Sequence, residues 1–240
     1  MMKLVLKKKP KGVRIIEGFP GFGLIGTIAT EFLMEHLKTE KIGIIEMDEV
    51  PAMVAIHENK IVEPISIHYN KKYNLVMIHA INVGKDMGWK LAAMIADLAK
   101  TLNAKEIISL EGVGSPNAST SRVFYYSSKG KTAGIKKLEG KANPLMEGII
   151  VGVTGALLSK DVSTPILALF AEAKSNLPDS RAAAEIVKAL DAYTNLGIDP
   201  KPLEKQAKEF EAKLKTIMEK GNDAAKQVQV HNDKHLSYVG

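Results

Sequence analysis

The stretch Glu17-Gly18-Phe19-Pro20-Gly21-Phe22-Gly23-Leu24-Ile25-Gly26 is the most informative local segment of this 240-residue chain. The apolar run at residues 13–17 predicts a short strand, which Gly18 and Pro20 bring to an end. Apolar residues then recur at helical spacing over residues 24–37, which predicts a helix. A strand, a glycine-rich turn and a helix in this order are typical of an α/β domain.

Apolar runs further along the chain predict more strands and helices. Strands are predicted at residues 42–45, 54–57, 61–62, 64–69, 75–80, 106–110, 122–126 and 165–170. Helices are predicted at residues 85–103, 155–158 and 179–195, the last with Asp179 as its N-cap and Gly197 at its end. The small residues between Gly112 and Ser121 predict a loop. Strands that alternate with helices predict a layered α/β domain with a mostly parallel sheet, to which region 52–69 adds antiparallel character.

The composition excludes several classes of function. Lysine and arginine total 33, and aspartate and glutamate total 27, so the net charge of +6 is mild. The sequence has no basic patch with interleaved aromatic residues, and nucleic-acid binding is therefore not expected. Cysteine is absent, which excludes disulfides, thiolate zinc sites, iron–sulfur clusters and cysteine nucleophiles.

The distribution of apolar residues also indicates where in the cell the protein is expected. No apolar run approaches the length of a membrane span, and the first residues lack the pattern of a signal peptide. We therefore expect a soluble, cytoplasmic protein without membrane association. The absence of cysteine, together with abundant lysine, glutamate and isoleucine, fits a thermophilic source.

Gly21, Gly23 and Gly26 form a G-x-G-x-x-G pattern of the kind found in dinucleotide-binding domains. Glu46 or Asp48 lies about 20 residues further on, where such domains place the carboxylate that holds the ribose. However, two phenylalanines and a proline occupy the turn where the phosphates would lie. We therefore favour a tight turn whose small residues let helix and sheet approach closely, and we expect no cofactor.

The remaining candidate motifs carry less information. The glycine segments 112–115 and 152–155 offer backbone amides to an anion, but neither has the Gly-Lys-Ser/Thr ending of a nucleotide-phosphate loop. Both are interpreted as turns at strand ends. Among the histidines, His79 is the best candidate for a site residue, and a core histidine is the favoured interpretation. No metal site, carboxylate pair or catalytic constellation is predicted.

The region near the C-terminus has a different pattern from the rest of the chain. Its apolar residues recur at heptad spacing and are Leu203, Ala207, Phe210, Leu214 and Ile217. A helix this short is marginal alone, so its apolar stripe must be buried against the domain or a second subunit. We predict a core domain over residues 1–198, a packing or oligomerisation helix over 199–221 and a mobile tail over 222–240. The heptad helix further predicts a homo-oligomer.

Five segments, in order, resemble the proteasome assembly chaperone 2 family, its archaeal branch especially. They are residues 17–26 (EGFPGFGLIG), 64–69 (PISIHY), 110–114 (LEGVG), 152–158 (GVTGALL) and 178–183 (PDSRAA). The resemblance implies a three-layer α/β/α sandwich similar to nucleoside phosphorylases, used without known catalysis, and assembly into homo-oligomers. It also implies a role in assembly or activation of the proteasome core particle.

The resemblance extends to the C-terminal tail. In the family, a tail that ends in a hydrophobic residue, tyrosine and any residue inserts between α subunits of the core particle. The present chain ends in Leu236-Ser237-Tyr238-Val239-Gly240, with the tyrosine third from the end instead of second. The residues expected to bind the partner are Leu236, Tyr238, Val239 and Gly240.

Two functions stay open from the sequence. The first is a non-enzymatic, homo-oligomeric chaperone or scaffold that engages the proteasome core particle or another protein client through its tails. The alternative is a phosphorylase-like or nucleotide-binding enzyme that uses the glycine loops 18–26 and 112–115. The apolar residues of loop 18–26 favour the first function, because an enzyme needs polar groups that converge on such a loop.

Overall fold

The structure is a computed structural model that describes residues 2–48, 54–57, 59–84, 86–115, 121–129, 134–173, 177–199 and 201–203. The described strands are β1 (Met2–Leu6), β2 (Arg14–Gly18), β3 (Glu40–Met47), β4 (Ala55–His57), β5 (Lys60–Val62), β6 (Ile65–Asn70), β7 (Leu75–Ala80), β8 (Glu106–Gly114), β9 (Val123–Ser127), β10 (Asn143–Pro144) and β11 (Ile166–Ala173). The described α-helices are α1 (Ile25–His36), α2 (Gly88–Thr101), α3 (Gly152–Ser159) and α4 (Ser180–Thr194).

Nine of these strands form one sheet in the order β1-β3-β6-β7-β2-β8-β11-β9-β10. Strands β4 and β5 pair separately as an antiparallel hairpin, which agrees with the antiparallel character predicted for region 52–69. The pairs among β7, β2, β8 and β11 are parallel. The pairs among β1, β3, β6 and β7, and the β11–β9 pair, are antiparallel. The prediction of a mostly parallel sheet is therefore wrong, and the sheet is mixed. One reason is the short turn at 71–74 between β6 and β7, because so short a connection joins only antiparallel neighbours.

Helices cover both faces of the sheet, which makes three layers. Helices α1 and α4 pack on one face around Ile16, Met77 and Leu169. Helices α2 and α3 pack on the other face around Ile15 and Ile78. Because alternate residues of a strand point to opposite faces, the central strands are apolar on both sides.

Several element boundaries differ from the sequence prediction. Strand β8 continues through Gly114, so the first residues of the predicted loop belong to the sheet. Helix α3 starts at Gly152, and α2 is shorter at both ends than predicted. Strand β1 was not predicted; it is a short edge strand with partly exposed side chains, so its apolar signal is weak. The Asp179 side chain accepts a hydrogen bond from the Ala182 amide at 2.9 Å, which confirms the predicted N-cap of α4.

The C-terminal predictions fall mostly outside the described residues. Leu203 is buried and belongs to the core between the sheet and α1 and α4. The remaining predicted oligomer and tail residues lie beyond the part of the chain that the structure describes, and they are Ala207, Phe210, Leu214, Ile217, Leu236, Tyr238, Val239 and Gly240. The division at residues 198 and 221 therefore stays a prediction. Among the described helices, none is both long and apolar enough to cross a membrane.

Candidate functional site

A cleft of about 1210 Å³ lies where the parallel strands β2, β8 and β11 end. In α/β sheets, ligands commonly bind in the crevice outside the carboxyl ends of the strands. One wall is the turn after β2, and another is the end of β8. Residues 144–153 and the start of α2 complete the cleft. The three glycine segments that the sequence singles out, 18–26, 112–115 and 152–155, therefore meet at one site.

The glycines of these segments make room for the chain's own backbone. A Cβ on Gly26 would lie 2.3 Å from the carbonyl oxygen of Leu110, so only hydrogen fits between α1 and β8. Gly23 has a φ of 65°, a left-handed conformation that glycine adopts without strain. These contacts support the interpretation of residues 18–26 as a tight turn between strand and helix.

The strand order argues against the dinucleotide hypothesis for this turn. A dinucleotide-binding domain needs the carboxylate-bearing strand close to the glycine turn. Glu46 lies in β3 and Asp48 follows it, and β6 and β7 separate β3 from β2 in the sheet. Strand β3 pairs with β1 and β6 and forms no pair with β2, whereas the fingerprint places the carboxylate on a strand that pairs with the glycine-bearing strand. Glu46 and Asp48 therefore have the expected distance from the glycines along the sequence, but they do not lie next to the glycine turn in the fold.

A pair of glutamates lies at the base of the cleft, although the sequence predicts no carboxylate pair. Glu17 of β2 is fully buried, and Glu111 of β8 lines the cleft. The Thr154 hydroxyl lies between them, 3.0 Å from Glu111 Oε2 and 3.4 Å from Glu17 Oε1. The sequence does contain a feature that could have indicated this pair, namely a glutamate followed by glycine in each of two otherwise apolar strands. Sequence alone did not show that these strands are neighbours.

Burial raises the pKa values of both carboxyls. The pKa of Glu17 is raised to about 8, first because burial penalises the charged form, and the nearby Glu111 adds to the effect. The Ser109 hydroxyl beside Glu17 acts in the opposite direction. The pKa of Glu111 is raised to about 7 by burial, against the hydrogen bonds from Thr154 and the Gly112 backbone. At neutral pH the pair therefore retains protons that exposed carboxyls would lose.

A second polar contact lies at the end of β11. The Arg122 guanidinium donates two hydrogen bonds to Glu172, from Nε at 2.9 Å and from Nη2 at 2.8 Å. These bonds hold the pKa of Glu172 below its ordinary value. Because Glu172 is buried and lines the cleft, this ion pair fixes one corner of the wall.

His79 lies away from the cleft. It is buried at the end of β7 on the face covered by α1, with Nδ1 2.9 Å from Thr30 Oγ1 and Nε2 2.9 Å from Glu31 Oε2. His79 is therefore a core histidine, as the sequence analysis favoured. The described residues contain no group of three or more metal-ligating side chains that could hold an ion.

The outer wall of the cleft exposes large apolar side chains. Met146, Ile149 and Val151 are 84%, 91% and 75% exposed. Trp89, at the start of α2, is 60% exposed and also lines the cleft. Apolar side chains exposed together in this way are typical of a surface that another molecule covers.

Comparison with models of protein families shows which family the chain belongs to. A model of the PAC2 family matches residues 15–218. The chain belongs to the PAC2 family. This confirms the resemblance to the proteasome assembly chaperone 2 family that the five sequence segments carry.

Solved structures and a curated protein resemble this PAC2-family chain over most of its length. PbaA of Pyrococcus furiosus, an archaeal homologue of proteasome-assembly chaperone, is 29% identical, with 93% of this chain and 99% of PbaA covered and a TM-score of 0.81. PbaB of the same organism, an archaeal proteasome activator, is 24% identical, with 90% and 98% covered and a TM-score of 0.73, and supports the fold alone. MJ0106 of Methanocaldococcus jannaschii, an uncharacterised protein, is 28% identical over 207 residues, which are 85% of each chain.

Proposed function

We propose that this PAC2-family protein is a non-enzymatic, homo-oligomeric chaperone or scaffold that binds the proteasome core particle through its C-terminal tails. The observation that carries the proposal is the match to the family over residues 15–218, together with the likeness to PbaA along nearly its whole length. PbaA is described as a homologue of proteasome-assembly chaperone, and its likeness therefore suggests a proteasome-related partner.

The described surface supports a protein partner. The exposed apolar side chains of residues 146–151 and of Trp89 form a surface of the kind that protein interfaces bury. The hairpin of β4 and β5 adds Ile56 and Ile61, which are 75% and 62% exposed. A two-stranded hairpin is marginally stable alone, so contact with a neighbouring molecule would stabilise it.

Homo-oligomerisation is proposed from the heptad positions that begin at Leu203. Leu203 is packed into the core, which anchors the start of this segment on the domain. The seam continues in sequence through Ala207, Phe210, Leu214 and Ile217. An apolar seam flanked by lysine and glutamate is typical of helices that pair between subunits.

Surface plasmon resonance with immobilised archaeal core particle tests the proposal. The full-length chain should bind, and a variant that ends at residue 221 should lose binding because it lacks the tail residues. A Tyr238→Ala variant provides the sharper comparison, with Ser237→Ala as its matched control. Equal binding by full-length and truncated chains would refute tail docking, and failure of both to bind would refute the proteasome partner.

A phosphorylase-like or nucleotide-binding enzyme is the second candidate. It is favoured by one observation, namely that glycine segments 18–26 and 112–115 line the same cleft as the partly buried Glu111, next to the fully buried Glu17. A thermal-shift screen with nucleosides, NAD and phosphate distinguishes the two functions, since a ligand that binds the native state raises its melting temperature. A specific shift with one nucleoside would favour the enzyme, and the chaperone proposal predicts no such shift.

A further inference from the structure

We propose that the cleft at the ends of β2, β8 and β11 binds a small organic ammonium ion, with its cationic group against Glu111 and its apolar body against the aromatic walls. The inference does not rest on the proposed function, which would hold even if the cleft bound no ligand, although Trp89 belongs to both surfaces. It rests on the volume of the cleft, the composition of its walls and the sign of its charge.

The walls fit an apolar body. Phe19 and Phe22 line the side formed by the turn after β2, and Phe124 lines the side formed by β9. Met87 and Trp89 line the side formed by the start of α2. A cleft of about 1210 Å³ is large enough for a small organic molecule, since ligand pockets are commonly about 300–1000 Å³. Arg122 already lies over the Phe124 ring and Lys160 over the Trp89 ring, so these two rings would contribute apolar contact to the ligand.

The charge of the cleft selects a cation. Among the lining residues that the structure describes, the charged side chains are all acidic, and they are Asp86, Glu111, Glu147 and Glu172. Arg122 neutralises Glu172 through its two hydrogen bonds. The other three have no basic partner among the described lining residues. Like charges repel, so this cleft disfavours the phosphates of a nucleotide and favours a positive group.

The base of the cleft supplies acceptors for an ammonium group. Glu111 Oε2 accepts the hydrogen bond from Thr154, and Oε1 lies against Gly21, where a Cβ would approach within 2.1 Å. The missing side chain at Gly21 thus leaves space for this carboxyl oxygen beside the turn. An ammonium group carries three N–H donors and a full charge, which would offset the cost of ionising a buried carboxyl.

Glu17 adds acceptor capacity beneath Glu111. Its carboxyl is fully buried beside the Ser109 hydroxyl, whose hydrogen bond lowers the pKa of Glu17. A carboxyl oxygen can accept from more than one donor, so Glu17 can also accept a hydrogen bond from a further group. The Thr154 hydroxyl links Glu17 to Glu111, so a cation at Glu111 also acts on Glu17.

Three probes with one indole body and different head groups test the proposal by isothermal titration calorimetry on the full-length chain at pH 8. They are tryptamine, which is cationic, tryptophol, which is neutral, and indole-3-acetate, which is anionic. We expect tryptamine to bind at least ten times more tightly than tryptophol, and indole-3-acetate to bind most weakly. Equal affinities for the three probes would overturn the proposal, and so would no binding of tryptamine at millimolar concentration.

Two variants locate the charge recognition. Glu111→Gln keeps the shape of the side chain and should abolish the preference for tryptamine over tryptophol. Glu106→Gln is the matched control, because Glu106 lies at the opposite end of the same strand and should leave the preference unchanged. Retention of the preference in Glu111→Gln would overturn the assignment of this residue.

A measurement on the unmodified chain covers the case in which Glu111→Gln does not fold. Methyl resonances report the position of the ligand, and tryptamine should shift those of Met87 and Val153, which line the cleft. The resonances of Ile186, buried in α4 on the other face of the sheet, should not move. Shifts at Ile186 without shifts at Met87 and Val153 would place the ligand elsewhere and refute the site.

Discussion

The carbonyl oxygen of Phe22 lies 1.8 Å from the position that a Cβ on Gly112 would occupy. The Phe22 ring is also close to Gly114, where a Cβ would lie 2.9 Å from Cζ. The turn after β2 therefore rests directly on the backbone of β8. This contact holds two walls of the cleft together, and the Phe22 carbonyl leaves no room for a side chain at Gly112.

The Phe22–Gly112 contact predicts a large effect of Gly112→Ala. The added methyl group meets backbone instead of a flexible side chain, so the turn must move away from β8. We expect a loss of about 2–4 kcal/mol in the free energy of unfolding, measured by chemical denaturation.

Gly148→Ala is the matched control for this substitution. A Cβ at Gly148 would lie 3.5 Å or more from its nearest neighbours, so the change should alter stability by less than about 0.5 kcal/mol. Equal effects of the two substitutions would show that the close contact at Gly112 does not limit stability.

The buried Glu17 predicts a pH dependence of stability. The pKa of Glu17 is about 8 in the folded chain, above its value in an unfolded chain, so the folded state holds a proton that the unfolded state releases. The stabilising contribution is fully present below about pH 4 and is lost as pH rises through about 8. Melting temperatures between pH 5.5 and 8.5 should therefore fall more steeply for the natural chain than for Glu17→Gln.

His68 acts in the opposite direction and must be separated from Glu17. Burial lowers the pKa of His68 to about 4, so its contribution is present above about pH 6.5 and is lost towards pH 4. A His68→Gln variant should keep the decline above pH 6.5, to which Glu17 and Glu111 both contribute because burial raises both pKa values. The assignment to Glu17 fails if Glu17→Gln and the natural chain have parallel profiles from pH 5.5 to 8.5.

The Thr154 hydroxyl predicts a change in the pKa of Glu111. This hydroxyl donates to Glu111 Oε2 and lowers a pKa that burial has raised to about 7. Thr154→Val removes the donor at nearly constant volume, so the pKa of Glu111 should rise further. Carbon-13 NMR titration of labelled glutamate measures the shift, and Thr154→Ser should restore it. An unchanged titration in Thr154→Val would show that this hydrogen bond has no role.

The proposed oligomerisation helix predicts that substitutions in its apolar seam lower the mass of the particle in solution. Replacement of Phe210 and Leu214 by serine removes two seam positions, and light scattering at micromolar concentration should then report a smaller particle. Lys213→Ser and Lys215→Ser together form the control, because these residues adjoin the seam without belonging to it. A monomer already in the natural chain would contradict the proposed homo-oligomer.

Local apolar spacing predicts individual strands and helices, but not how the strands pair. The strand at Arg14–Gly18 and the helix at Ile25–His36 were predicted because apolar spacing and turn glycines act over a few residues. The direction of β3 relative to its neighbours was not predicted, because strand pairing depends on long-range packing. Strand β8 was predicted to end early because Gly112 and Gly114 look like loop residues until the close contact with Phe22 is known.

The sequence by itself determined the turn at residues 18–26 and the N-cap at Asp179 from residues close together in the chain. It determined the layered α/β class and the family from the order of such local segments along the chain. Only the tertiary structure decided that Glu17 and Thr154, 137 positions apart, share a polar cluster with Glu111 under an acidic, aromatic cleft. Strand order brings these residues together. Burial then raises the pKa values of Glu17 and Glu111, because it withdraws water from their carboxyl groups. Neither effect depends on local sequence.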